Sequence, residues 1–363
     1  MYSRKIIQPG AETPNVSSLK KPEITVAVVT YNGKNVIQRC LDSLQSQTYK
    51  PAKILVIDNN STDHTPEWVE DHYSQIKVIR LDSNRGPNPA RNQGILNTPD
   101  DHLTLLVDDD AILAEDCLSE LVKAYYRYPE AAIWAPRLVY HDQPDMIQHE
   151  GVFIHYTAEA ILLNSDKPLN QGVKDITQVH AVSGTCLLVS KSAAETIGLF
   201  DEDYFFGRTD GEFSFRLTTS GHQLYTVPRA ICYHRVKKRG LSKVFYQVRN
   251  RWYFILTIYS LRTLMVLMPA LLIYEVSLIA FLMLKGNIIT YFQGILAVIA
   301  SLPKLFKKRK LVQSLKTVSD RELLKNESMY MRDDLLKSKA QAFFKSKLDQ
   351  FFKIYWNLVY PLI

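Results

Sequence analysis

Residues 103–110 read LTLLVDDD, an apolar strand-forming run that breaks off at three consecutive carboxylates, Asp108, Asp109 and Asp110. A strand of continuous apolar character has no solvent face, so it belongs in a sheet covered on both sides. The same pattern recurs upstream in Ile24 to Thr30, Lys53 to Asp58 and Lys77 to Leu81. Between these runs lie helix-length segments, roughly Asn35 to Gln47, Thr65 to Ser74 and Pro89 to Asn97. Strands alternating with crossover helices predict an α/β fold built on a doubly wound sheet. Ligands of such sheets bind beyond the carboxyl ends of the strands, which here read Tyr31-Asn32, Asp58-Asn59-Asn60 and Asp108-Asp109-Asp110.

Downstream, from about Ala131 to His234, the pattern loosens into a small-residue strand (Val182 to Val189) and a helix-like segment (Asp210 to Ser220), which suits a second half packed on the first. After Gly240 the character changes. Leu264 to Leu284 holds one charge, Glu275, and Asn287 to Pro303 holds none; a run of about 20 apolar residues is long enough to span a bilayer. Leu335 to Val359 sets aromatic residues among lysines at helical spacing, the signature of an interfacial amphipathic helix. Charge follows the same division: residues 1–230 carry 21 Lys and Arg against 30 Asp and Glu, and residues 231–363 carry 23 against 7. An acidic part suits metal-binding carboxylates and a basic part suits anionic lipid. Nucleic acid would explain the basic tail's charge but not its apolar content, so no nucleic-acid partner is expected. The four cysteines lie far apart, without zinc spacing or a disulfide framework, which fits a reducing compartment. Residues 1–23 are polar and proline-rich, read as a loose arm and not a signal peptide.

Five groups carry chemistry. Three adjacent carboxylates repel one another, and a hard dication held between alternate side chains relieves the repulsion; in a locally extended segment Asp108 and Asp110 share a side. An acidic helix-capping turn is the plain alternative. Asp58, with Asn59 and Asn60, can accept from a base N–H, or can be a polar turn. Asn84-Arg85-Gly86 and Arg91 set two guanidinium groups near a helix start, which suits a diphosphate, or a surface pair. Asp210 and Glu212 follow the aromatic run Tyr204-Phe205-Phe206, where partial desolvation raises carboxylate basicity; they can also be first-turn acids. His234 ends a short apolar segment, as a ligand or a structural histidine.

The ordered segments VVTYNGKNVIQRCLDSLQSQ, ILVIDNNSTDHT, NRGPNPARNQGI, LLVDDDA, SGTCLLVSKSAAETIGLFDEDYFFGRTDGEFSFRL and VPRAICYH resemble the family 2 glycosyltransferases from Ile24 to His234. The resemblance implies a GT-A fold, with a Rossmann-like, doubly wound mixed sheet, over residues 24–240. Its nucleotide-sugar half would be 24–130 and its acceptor half 131–240. It implies inverting transfer from a nucleoside diphosphate sugar with Mn²⁺ or Mg²⁺. Thr30, Tyr31, Asn32, Asp58 and Asn60 would line the donor site with Asn84, Arg85, Gly86, Arg91, Asp108 and Asp109. Asp108, Asp110 and His234 would hold the metal. Asp210 matches the general base, although Thr209 stands where the family commonly has Glu, and Glu212 is the fallback. Members with this kind of tail resemble rhamnosyl- and other cell-surface glycan transferases, which suggests a lipid-linked or surface glycan acceptor. Residues 241–363 are then expected to attach the enzyme to membrane lipids at the cytoplasmic face, either as a spanning hairpin or in the plane of the membrane. The competing readings are a nucleotidyltransferase, against which stands the lack of a Gly-rich phosphate loop after the first strand, and a non-catalytic sugar-nucleotide-binding scaffold.

Overall fold

The computed structural model describes residues 21–235, 241–328 and 339–363. Its first half runs β1 (Glu23–Thr30), α1 (Ile37–Gln45), β2 (Lys53–Asp58), α2 (Thr65–His72), β3 (Lys77–Arg80), α3 (Pro87–Leu96) and β4 (His102–Asp108). The four strands are parallel, in the order β4-β1-β2-β3, because a helix carries the chain back across the sheet between each and the next in sequence. Every residue of β1 after Glu23 is buried, as its unbroken apolar run requires. Helix α1 buries Ile37, Cys40, Leu41 and Leu44 on one stripe against the sheet.

The second half contains β5 (Ala111–Leu113), α4 (Cys117–Arg127), β6 (Ile133–Tyr140), β7 (Gln143–His149), β8 (Val152–His155), β9 (Ala160–Leu162), β10 (Thr177–Val179), β11 (Cys186–Ser190), α5 (Lys191–Thr196), α6 (Thr209–Thr219) and β12 (Leu224–His234). The main sheet continues from β4 through β11, β6 and β12 to β10, with β5 beside β12 and β7 beside β6. Since β11 is antiparallel to both neighbours, the sheet is mixed. The strand expected from Val182 begins only at Cys186. Just before it the Thr185 carbonyl still accepts from the Asp108 N–H at 2.9 Å, and Gly184 turns its N–H to another partner.

The C-terminal region is helical: α7 (Val244–Ile258), α8 (Leu261–Leu284), α9 (Ile288–Leu315), α10 (Asp320–Leu323), a two-residue strand β13 (Leu324–Lys325) and α11 (Lys339–Val359). It packs into the α/β body. Strand β13 adds in parallel to β8, and Tyr156 and Phe215 of the body share a buried cluster with Phe254, Tyr259, Leu271, Phe352 and Trp356. The apolar residues of α11 therefore divide, with Phe352 and Trp356 facing inward and Phe343, Phe344 and Leu358 exposed. The basic stretch 307–310 divides too. Lys308 pairs with Asp201 and Asp203, and Arg309 donates to the Leu256 and Tyr259 carbonyls. Half of a cluster read as cations for lipid is thus bound inside the protein. Glu275, the isolated charge in the first apolar run, is buried against Arg251. Most of the expected N-terminal arm, the basic residues 237–239 and the start of the terminal amphipathic segment lie outside the described residues.

Candidate active site

Register brings the carboxyl ends of three strands together: Thr30 pairs with Asp58 across β1–β2, and Val29 with Asp108 across β1–β4. Asp58 is buried. Its Oδ2 accepts from the Ser61 N–H at 3.0 Å, while Oδ1 is enclosed with no hydrogen-bond partner among the described residues. Asn32, at φ 54°, accepts the Thr62 N–H at 2.8 Å, which ties the loop after β1 to the loop after β2. Tyr31 stands about half exposed above them.

The three carboxylates, Asp108 closing β4 and Asp109 and Asp110 in the turn after it, have three different partners. Asp108 accepts from Arg91 Nη2 at 3.0 Å, Asp109 accepts from Thr30 Oγ1 at 2.6 Å, and Asp110 Oδ1 stands 3.5 Å from His234 Nε2. Antiparallel pairing of β5 with β12 sets His234 opposite Ala111, so the strand that follows the triplet delivers the histidine to it. Asp108 keeps 29% of its side-chain surface open but is set deeply enough that burial raises its carboxyl above the usual range. Arg91 opposes that shift and Asp110 adds to it.

Arg91 is the hub. It is buried, and beyond Asp108 it donates to Thr209 Oγ1 at 3.3 Å. Its guanidinium lies where a side chain on residue 184 would point, so any larger residue there would have to displace it. The Gly184 N–H in turn donates to Asp210 Oδ2 at 2.7 Å. Asp210, in the first turn of α6, is thereby fixed beside the carboxylate turn.

Residues 25–198 match the model of the glycosyl transferase family 2. The chain is a glycosyltransferase with a family 2 domain. Among its relatives is the N-acetylglucosaminyl-diphospho-decaprenol L-rhamnosyltransferase of Mycobacterium tuberculosis, 27% identical over an alignment of 240 residues that covers 60% of this chain and 78% of the relative. The O-antigen chain rhamnosyltransferase RfbN of Salmonella typhimurium is 25% identical over 58% of this chain and 66% of its own length. A crystal structure of GalNAc-T7 with UDP, GalNAc and Mn²⁺ superposes with a TM-score of 0.56 at 17% identity, over 66% of this chain. The match spans about half, 48%, of that protein, and it speaks for the GT-A-like fold alone.

The family match ends before α6 and β12, so Asp210 and His234 of this glycosyltransferase are placed by geometry. One of the expected catalytic residues does not belong to the cleft. Glu212 is buried with both oxygens bound by Arg216, at 2.8 and 3.1 Å, and Arg216 also ties down the Ile197 and Leu199 carbonyls. Both carboxylate oxygens are thus engaged in a buried ion pair. Asn84 serves the loop, accepting from Asn59 Nδ2 at 3.0 Å and from the Gly86 N–H at 2.9 Å. Gly86, at φ 89°, passes so close to the Phe205 carbonyl that a Cβ would collide with it. Arg85 reaches outward to Glu202, and Asn60, at φ 64°, shapes the turn after β2.

Sequence reading missed the end of β7. Gln148 Oε1 lies 3.0 Å from His234 Nδ1, and an Nδ1–H donated there leaves Nε2 with its lone pair toward Asp110. His149 is buried, its Nδ1 without a hydrogen-bond partner among the described residues, and lies within electrostatic reach of Asp210 and His234; burial lowers its imidazole to about 4. Among the described residues no three His, Cys, Asp or Glu side chains already converge as a metal shell. The donor set of Asp108, Asp110 and His234 nonetheless has the oxygen and imidazole chemistry that Mn²⁺ accepts, and Asp110 and His234 already face each other.

Proposed function

We propose that this glycosyltransferase moves a sugar, with inversion, from a nucleoside diphosphate sugar to a hydroxyl of a lipid-linked or cell-surface glycan, in a divalent-metal-dependent reaction. The observation that carries the reading is the chain of contacts from Asp108 through Arg91 and Thr209 to Asp210, which joins a diphosphate-side carboxylate to a cleft-side base. The acceptor oxygen attacks the anomeric carbon as the bond to the diphosphate oxygen breaks, and the diphosphate leaves with the electron pair. Asp210 takes the acceptor proton; the Gly184 N–H holds its Oδ2, which fixes the carboxylate's orientation. Arg91 faces the charge that gathers on the leaving group. Asp58 Oδ1 is the acceptor suited to a base N–H, with Tyr31 as a stacking surface. Mn²⁺ or Mg²⁺, held by Asp108, Asp110 and His234, would supply neutralisation of the diphosphate.

The acceptor assignment draws on the diphospho-decaprenol substrate in the mycobacterial relative's name and on two helices, α8 and α9, long and apolar enough to cross a membrane. Residues 241–363 would hold the enzyme at the cytoplasmic face, where lipid-linked acceptors are within reach. The test is nucleoside diphosphate release from a panel of UDP-, GDP- and dTDP-sugars, with Mn²⁺, with Mg²⁺ and with chelator. Release from one donor class that chelator abolishes is expected. Undiminished release in chelator would overturn the metal assignment, and no release from any donor would overturn the reading.

A further inference from the structure

The buried carboxylate of Glu275 is the least expected group in the C-terminal helices, because an apolar helix gains nothing from an isolated charge. Its surroundings lead back to the cleft. Glu275 Oε1 pairs with Arg251 of α7, and Oε2 accepts from Tyr291 of α9 at 2.5 Å. Arg251, fully buried, donates Nε to the Thr157 carbonyl at 2.8 Å and stands 3.5 Å from Glu159 Oε1. Glu159 also accepts from Tyr274 of α8 at 2.9 Å and from Arg208 Nη2 at 2.9 Å. Arg208 is the residue from which α6 starts, two positions before Asp210.

Two charges of each sign thus form one network across α8, α7, the β8–β9 turn and α6, buried at Glu275 and Arg251 and partly open at Glu159 and Arg208. Both loops it holds are strained. Ala158 at φ 66° and Arg208 at φ 57° are left-handed without being glycine, and the Arg208 guanidinium donates to the Ala158 carbonyl. Such backbone persists where surrounding contacts over-determine it. The segment before Arg208 is held from the same side. Asn250 Nδ2 donates to the Phe206 and Gly207 carbonyls at 2.7 and 2.8 Å, and Lys304 and Lys308 pair with Asp201 and Asp203.

We infer that Glu275 and Arg251 are positioning residues for the transfer reaction: through Glu159 and Arg208 the apolar helices hold the start of α6 and so set Asp210 against the acceptor. This rests on Asp210 being the base. The helices are then part of the catalytic apparatus as well as an attachment, and the charge in α8 is kept for the geometry it imposes some distance away.

The test uses the full chain carrying Glu275→Gln or Glu159→Gln. Amides of residues 208–212 should exchange with deuterium about tenfold faster while those of β1 and β4 keep their protection. With the donor identified in the panel, kcat for transfer should fall about 100-fold, the loss that misplacement on the ångström scale brings, with donor KM within about twofold. Tyr291→Phe, which removes only one hydroxyl from Glu275, should shift both readings in the same direction by less, and it supplies the measurement if Glu275→Gln does not fold. Unchanged exchange at 208–212, or unchanged kcat in the folded variants, overturns the inference. Asp210→Asn is assayed beside them: if it retains transfer, the base assignment fails, while the exchange data still report whether the helices hold α6.

Discussion

Asp210 and Glu212 lie two positions apart in the first turn of α6, a rotation of about 200°, so they cannot share a face. One is fixed by Gly184 beside the carboxylate turn and the other gives both oxygens to Arg216. Asp210→Asn should cut transfer by about 10²- to 10⁴-fold with donor affinity nearly preserved, measured by initial rates against nucleotide titration. Glu212→Gln should leave the chemistry of a folded enzyme intact but lower its unfolding free energy by about 3–5 kcal/mol, because Arg216 stays buried without its counter-charge. A rate loss in Glu212→Gln at unchanged stability would reverse the two assignments. The distinction was partly legible: Glu212 and Arg216 have the i, i+4 spacing of a helical ion pair. Gln148 was not legible, since it lies 86 positions from His234 and nothing local marks a side chain that reaches it. Gln148→Ala should weaken Mn²⁺ binding about 10-fold or more, read by titration of the metal in the presence of UDP or GDP, with the fold unaltered.

At the scale of elements, the parallel strands and their helices were readable because each apolar run is bounded by turn residues and buried on both faces. The tail was not. The apolar stretches looked alike in composition, and what separates inward from outward residues on α11 is the partner surface formed by Tyr156 and its neighbours, remote in sequence. Two histidines mark that seam, His155 buried and His180 partly so. His155 stacks on Tyr156 and accepts the Thr157 N–H at Nδ1, and His180 Nδ1 lies 2.9 Å from the Leu323 carbonyl. Burial lowers His155 to about 3 and His180 to about 4, below the ordinary histidine value near 6.5. The unfolded chain therefore binds more protons than the folded one between those values. Stability should be complete above about pH 6.5 and fall as the pH drops toward 4, by at most about 1.4 kcal/mol per pH unit for each histidine. Melting curves from pH 7.5 to 4.5 should show the decline. His180→Gln should flatten it, and an unchanged pH slope in that variant would remove His180 from the cause.

The whole molecule presents two kinds of surface. The α/β body is polar outside, whereas α8 exposes Leu261, Met265, Leu272 and Val276, and α9 exposes Ile289, Phe292, Leu296 and Ile299, each set on one helical stripe. Contiguous apolar area on this scale marks a contact with lipid or protein. At 24 and 28 residues the helices measure about 36 and 42 Å, longer than the roughly 30 Å hydrocarbon layer. Full-length protein is expected to pellet with phosphatidylglycerol vesicles and to stay bound in high salt. Burial of apolar side chains does not weaken with ionic strength, and the cations that would respond to it are partly spent on Asp201 and Asp203. A chain ending after Tyr259 should lose vesicle binding, but it should lose more than that. It removes Leu267, Leu271, Val312, Phe352 and Trp356 from the cluster they share with Tyr156 and Phe215, and it removes β13 from the small sheet. Emptying one large core position costs about 2–5 kcal/mol and a domain is stable by only about 5–15, so the shortened chain should melt far lower or fail to fold. Vesicle binding and thermal melting on the two chains separate the outcomes. A shortened chain that melts like the full-length protein would make the tail a detachable anchor, and a full-length protein that stays in solution without detergent would leave its apolar stripes to a protein partner.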